Sequence, residues 1–572
     1  MSHFVLGINA TGTLRSACIF KDGKILAASP EERLSRIKRD SSFPHNAIKF
    51  CLNEAQIKFS QLDLVTVGWN PAFYMDKNSN SAYQTLKDKG LYLYHVVNEL
   101  GSSEYTDSIS HIDQSLLFQD GSKIPIEYVD HHFAHACLAY HYSNYDSALV
   151  VVLDGFGEIH TGGVFKMDNN DHEEISTAKF PHSIGLFYSA ITQYLGFRPD
   201  SDEWKIMALA SMGNSQKYKN KFLEMIKVGG NASNGLLELD LSYFDFYNFF
   251  TPSYTSDKFT SEFGNPRKSD EAIEQKHKDI AKALQEVVEE KIFELLLELN
   301  QKFPSEKNLC LSGGFFMNSV LNGKIRKETK FNDPFIGPTP DDTGIALGSA
   351  ILSLRKKGLI KSVKQVHNFF GPQFSNDEII HELEISKINF KEISNFHEDA
   401  AKNLSKGEIV GWFQGRTEFG QRALGNRSIL ASPVNDWMKD HINKYIKFRE
   451  EFRPFAPAVL DEMKTKYFDM QSDDEVFFME KVFPFKEEIK KQVPAVVHFD
   501  GTGRVQTVTQ NSNNEFYKLI NEFYKITNIP MLLNTSFNTN NVPIVNSPRD
   551  AIDTFYRCGI DTLYLNNIKI SK

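Results

Sequence analysis

The sequence predicts an α/β protein of two domains, on three observations. Short β-branched runs alternate with helical periods of apolar residues, the signature of strands covered by helices. The length of 572 residues exceeds what one hydrophobic core organises. Glycine turns close several strand ends, the edge at which α/β sheets bind ligands.

The elements follow in order. FVLGI (4–8) is a first strand running into the turn GINATG (7–12). SACIFKDGKILAA (16–28) carries Asp22-Gly23 at its middle, the dipeptide of a tight hairpin. SALVVVLD (147–154) is apolar without alternation, so it reads as a strand buried on both faces that ends at Asp154-Gly155. Further along, the stretch 233–265 is aromatic-rich where it reads YFDFYNFF, with few periods of either kind; a lid and an insertion packed on the surface both fit it. Ile273, Ile280, Leu284, Val287, Val288, Ile292, Leu295, Leu296 and Leu299 repeat at helical spacing over charged positions. A strand, NLCLSGG, and a helix, TGIALGSAILSL, come next. The domain boundary falls after LRKKGLIKSVK, giving domains at 1–358 and 366–572. The second again mixes strands (GEIVGWFQ, IPMLLNTSF, DTLYLN) with helices. No internal repeat is visible.

Composition removes several classes of function. A net charge of -9 disfavours sequence-independent nucleic-acid binding. The lysine-rich segments 216–227 and 354–364 fit solvated helix faces or a local basic patch. The five cysteines form no Cys-x-x-Cys pair and are expected as reduced, buried thiols of a cytoplasmic protein. The N-terminus reads as a strand rather than a signal peptide, and no apolar run of about 18 residues is present to span a membrane.

His131 and His135 stand four apart in DHHFAHACLAYHY, one helical turn, so two imidazoles can face one metal ion. Two core histidines satisfied by hydrogen bonds fit the same spacing. Asp154 at its strand end and Asp342 in TPDDTGIALGSA add two carboxylates, although Asp342 also fits a helix N-cap. Two imidazoles with two carboxylates suit divalent iron, manganese or zinc better than magnesium. The turns DGFG and LSGGFFMN make Gly155, Gly157, Gly313, Gly314 and Asn318 the expected nucleotide contacts of the first domain.

At this point the chain resembles the family of antibiotic and nodulation-factor O-carbamoyltransferases. The resemblance is carried by EERLSRIKRDSSFPHNAI, HHFAHA, LDGFGE, DEWKIMALASMG, LCLSGGFFMNSVLNGKI, DDTGIALGSA, GWFQGRTEFGQRALGNRSILASP, KFREEFRPFAP, HFDGTGRVQTV and NTSFNTNNVPIV. It implies an actin-like first domain, similar to threonylcarbamoyl transferases, and a smaller second domain similar to threonylcarbamoyl-adenylate synthases. It implies a ferrous ion on His131, His135, Asp154 and Asp342, and nucleotide contacts at Arg422, Lys447, Arg453, Arg504, Asn534 and Ser536. The residues support the second set on their own. RALGNRS, KFREEFRP and DGTGRVQ place cations beside apolar or glycine residues, as phosphate recognition requires, although any single arginine also fits a structural ion pair.

The implied activity uses ATP, with Mg2+, and carbamoyl phosphate to make carbamoyl-adenylate, then carbamoylates a hydroxyl of a small-molecule acceptor. A hydroxymethylated nucleobase as acceptor and a catalytically weakened nucleotide-binding protein are the alternatives. A homodimer is the expected assembly. One departure matters: where the family has a His-Asp pair in the first glycine turn, this chain has Thr13 and Leu14. The general base is therefore open among His132, Thr13, Glu203 and Lys205, with Arg422 expected as a further catalytic group.

Overall fold

The computed structural model describes residues 2–70, 113–117, 123–169, 171–229, 236–248 and 251–572. Its first half is built around two sheets of matching connectivity. The first holds β1 (Phe4–Asn9), β2 (Ser16–Lys21), β3 (Lys24–Pro30), β4 (Leu64–Val67), β5 (Asp113–Leu117) and β6 (Lys123–Tyr128), in the order β3-β2-β1-β4-β6-β5. Strands β1 to β3 form an antiparallel meander that turns at Asp22-Gly23, and β4 runs parallel to β1.

The second sheet begins with β7 (Ser147–Leu153), β8 (His160–Asp168) and β9 (His172–Lys179). A small hairpin of β10 (Ile226–Val228) and β11 (Leu237–Leu239) lies beside it in sequence. The sheet is completed by β12 (Leu309–Ser312) and β13 (Phe335–Ile336), in the order β13-β12-β7-β8-β9. Here too a three-stranded antiparallel meander is extended by a strand parallel to its first member. The half-domains thus repeat one strand topology, where the sequence shows no repeat.

The helices His131–Ser143 and Ile345–Lys356 lie between the two sheets, in one core with Val5 and Phe20 from one side and Val150 and Val152 from the other. They cross closely because position 348 is glycine; a Cβ there would stand 2.4 Å from the Ala134 carbonyl oxygen. Asn9 ties the start of the second helix to the first turn, its Nδ2 donating to the Asp342 carbonyl at 2.9 Å. The apolar period around 280–299 forms the helix Gln275–Lys302, with its apolar face buried.

The described residues of the aromatic stretch do not cover the cavity between the two domains. Tyr243, Phe244, Phe246, Phe259 and Phe263 are buried in the core of the second half-domain, where Phe244 meets Phe187 edge-on at 5.6 Å. Burying rings of this size releases water from large apolar areas, which outweighs any gain from exposure over a cleft.

The C-terminal unit has its own core, starting at Ile379. Its nine strands are β14 (Lys391–Glu392), β15 (Val410–Phe413), β16 (Arg427–Ala431), β17 (Ala456–Leu460), β18 (Lys481–Pro484), β19 (Thr502–Val508), β20 (Met531–Ser536), β21 (Thr562–Leu565) and β22 (Ile568–Ser571). They form one mixed sheet, ordered β14-β22-β21-β15-β16-β20-β17-β19-β18. This unit grips both halves of the first domain. Arg33 and Arg36 donate to the carbonyls of Gly420, Pro543 and Ile544, and Arg36 pairs with Asp550 at 3.1 Å. On the other half, Arg326 pairs with Asp473 and Asp474, and Asp333 with Lys481 at 2.6 Å. All five cysteines are buried and unpaired, and among the described residues no helix is long and apolar enough to cross a membrane.

Candidate functional site

His131 opens a helix whose N-cap, Asp130, accepts from the Phe133 amide, so His131 and His135 face the same side one turn apart. Asp154 follows β7, and Asp342 lies just before the helix Ile345–Lys356. The Asp342 side chain does not cap that helix, whose N-cap is Gly344; Asp341 caps the short 3-10 turn Asp342–Gly344 before it, its Oδ1 accepting from the Thr343 amide at 3.1 Å.

His131 Nε2 stands 3.3 Å from Asp154 Oδ2 and 3.5 Å from Asp342 Oδ1; for His135 Nε2 the distances are 3.5 and 3.4 Å. Two ligand atoms each about 2.1 Å from one ion lie roughly 3.0–3.4 Å apart along a coordination edge, so the four atoms match a shared divalent cation. All four lie within 4.8 Å of one another.

The surrounding groups fix which atoms face inward. His131 Nδ1 lies 3.2 Å from the Gly68 carbonyl, and His135 Nδ1 lies 3.3 Å from Ser312 Oγ, whose proton goes to the Pro340 carbonyl. Both imidazoles thus carry the proton on Nδ1 and present Nε2, as metal-bound histidines do. The amides of Gly155 and Gly314 donate to Asp154 Oδ1 and leave Oδ2 for the ion. Glu158 accepts from the amides of Asn70 and His131 and so seats the start of the helix.

Burial alone would strip the proton from His131 and His135. The facing carboxylates outweigh it and hold both above the usual imidazole range. Burial likewise raises the Asp154 carboxyl, but the two imidazoles drive it well below the ordinary range. The cluster calls for positive charge, and the nitrogen–oxygen donor set fits a transition-metal ion better than magnesium.

Beside this centre a cavity of about 690 Å³ runs between the two domains. Thr13, Lys205 and Thr343 line it on the first-domain side; Arg422, Lys447, Arg449, Arg453, Arg504, Asn534 and Ser536 line it on the other. Lys447 Nζ is held by the carbonyls of Ser536 and Asn538, at 2.5 and 2.9 Å, and Arg453 lies over the Trp204 ring at 3.8 Å. Arg504 makes no ion pair among the described residues. Burial, then repulsion from Arg422, Arg449 and Arg453, press against its charge. A guanidinium does not release its proton in a protein, so this wall carries positive charge that a bound polyanion would offset. Arg449 belongs to the cluster and was not among the sequence-based expectations, although KFREEFRP contains it between Lys447 and Arg453.

Other expected contacts lie elsewhere. Gly155, Gly157, Gly313, Gly314 and Asn318 do not line the cavity. The four glycine amides donate to Asp154, to the His160 carbonyl and to the Pro340 carbonyl, and Asn318 bonds Gln285 in both directions. These turns shape the metal-ligand cluster and the core. His132 is buried behind His131, with neither ring nitrogen hydrogen-bonded among the described residues, and it does not line the cavity. Glu203 is engaged by Ser189 and the Asp200 amide. Lys205 pairs with Asp202 and Glu450. Gln421 hydrogen-bonds Asp341, joining the loop that carries Arg422 to the segment that carries Asp342.

Comparison with known proteins finds two family models in tandem. "Carbamoyltransferase N-terminus" matches residues 5–351 and "Carbamoyltransferase C-terminus" matches 401–572. An uncharacterized protein of Synechocystis, sll1178, is 34% identical over 100% of this chain and 97% of its own length. Nodulation protein NolNO of Sinorhizobium fredii is 32% identical over 97% of this chain and 78% of its own. Nodulation protein NolO of Bradyrhizobium diazoefficiens is 33% identical, covering 78% and 79%.

Proposed function

The chain belongs to the carbamoyltransferase family, and from that premise we propose that it is an ATP-dependent O-carbamoyltransferase fed by carbamoyl phosphate. The observation that carries this reading is one cavity with a cationic wall on the C-terminal domain and the His131–His135–Asp154–Asp342 cluster close behind its other wall.

In this reading the C-terminal domain takes carbamoyl phosphate and ATP, with Mg2+. One water attacks the carbamoyl carbon and expels phosphate, giving carbamate; a carbamate oxygen attacks the α-phosphate of ATP, and pyrophosphate leaves. Arg422, Arg449, Arg453 and Arg504, with Lys447, neutralise the charge on the phosphoryl oxygens. Carbamoyl-adenylate is prone to hydrolysis, and a shared cavity lets it reach the first domain without release to bulk water. There an acceptor hydroxyl attacks the carbamoyl carbon and AMP departs. A divalent ion on the four ligands, which we take to be ferrous, would supply Lewis-acid polarisation worth several kcal/mol. The acceptor in this proposal is a small molecule.

Incubation with ATP and carbamoyl phosphate tests the reading. Carbamoyl-adenylate and pyrophosphate are expected by mass spectrometry and a coupled assay. No donor-dependent cleavage of ATP would sink it.

A further inference from the structure

The first glycine turn lies against the metal-ligand cluster: a Cβ at Gly12 would stand 3.6 Å from Asp342 Oδ2. Its next residue, Thr13, lines the cavity together with Arg39. Arg39 Nε and Nη2 both donate to Thr13 Oγ1, at 3.2 and 2.8 Å. With its lone pairs engaged by a cation, this hydroxyl is a poor base, but it keeps one proton to give. That proton has no acceptor among the described residues, and neither does Arg39 Nη1.

Arg39 is held for this task. Its backbone is left-handed, at φ 55°, and its amide donates to Glu32 Oε2 at 2.9 Å. The other oxygen of Glu32 serves Arg33 and Lys38. No carboxylate pairs with the Arg39 guanidinium among the described residues, so its charge is left for the cavity. A side chain kept in the left-handed region beside a ligand cavity is strain of the kind that functional positions retain.

We propose that Thr13 and Arg39 form an anion subsite on the first-domain wall, in which the Thr13 hydroxyl and Arg39 Nη1 donate to a phosphoryl oxygen. The inference rests on the carbamoyl-transfer reading for its ligand class, a nucleotide phosphate or the phosphate of carbamoyl phosphate. It assigns Thr13 as a donor rather than as the base for the acceptor hydroxyl.

Calorimetric titration of the full, metal-loaded chain with AMP, with carbamoyl phosphate and with adenosine tests the subsite. Thr13→Val keeps the shape and removes the proton. It should weaken one of the two phosphate ligands by about tenfold or more, as expected for a lost charge-assisted hydrogen bond, and leave adenosine unchanged. The ligand that weakens names the source of the phosphoryl group. Thr13→Ser should keep the native affinity, and Arg39→Lys, which keeps the charge without the fork, should keep it only in part. Native affinity of Thr13→Val for both phosphate ligands overturns the proposal, as does an equal loss for adenosine. A native protein that binds these ligands but cleaves no ATP would defeat the carbamoyl-transfer reading and leave the subsite standing.

Discussion

Gly157→Ala probes how tightly the metal-ligand cluster is built. A Cβ at this position would stand 2.7 Å from His132 Cε1, 2.8 Å from His131 Cδ2 and 2.9 Å from His132 Nδ1. Relaxed carbon contacts lie at about 3.5–4.0 Å, so both rings must move by more than half an ångström. Neither has room. His131 is fully buried, with Nδ1 against the Gly68 carbonyl and its amide on Glu158, and His132 is 2% exposed. Overpacking of this kind costs about 1–3 kcal/mol. Displacing His131 from its partner should also lower metal affinity by roughly 10- to 100-fold. Thermal unfolding of the metal-free protein reads the first effect, and chelator competition with metal analysis reads the second. Native affinity with a native melting temperature would refute the argument that Gly157 exists to admit the two imidazoles.

Three further outcomes are expected. Arg504→Met removes one of four mutually repelling guanidiniums, so the ligand-free protein should gain about 1 kcal/mol, seen as a melting temperature a few degrees higher, while calorimetry shows weaker carbamoyl phosphate or ATP binding. Burial pushes the Glu480 carboxyl from 4.5 up to about 7. Between those values the native state holds a proton that the unfolded chain has released, so stability falls as pH rises from 4.5 to 7, by up to about 3 kcal/mol. Urea titrations should show this slope, and Glu480→Gln should flatten it. Gln421→Leu leaves the Asp341 carboxyl, itself raised to about 6 by burial and then by Asp342, without its partner from the C-terminal domain. Denaturant unfolding should register a loss of about 1–3 kcal/mol.

Local pattern made much of this molecule legible. The Asp22-Gly23 hairpin, the buried run 147–153 and the long apolar helix lie where periodicity and turn chemistry put them. The spacing of His131 and His135 already implied a shared helical face, which the helix His131–Ser143 supplies. What stayed hidden depends on contacts far apart in the chain. Asp154 and Asp342 meet only because two strands and a helix bring them together, and Asn9 reaches Asp342 across 333 positions. The half-domain repeat is written in strand order rather than in residues. Glycine turns that suggested phosphate cradles turn their amides inward, because an amide offers no sign in sequence of which acceptor will take it. A lid and a surface insertion both fitted the aromatic stretch for a related reason: ring content does not reveal which side is covered.

The division of labour between the two walls is tested most directly in His135→Ala. Half-reactions are measured on one preparation: donor-dependent exchange of pyrophosphate into ATP, and carbamoyl transfer from preformed carbamoyl-adenylate. Exchange should persist while transfer is lost, since His135 belongs to the metal-ligand cluster and the arginines on the opposite wall are untouched. Equal loss of both activities, or transfer at the native rate, would contradict the account.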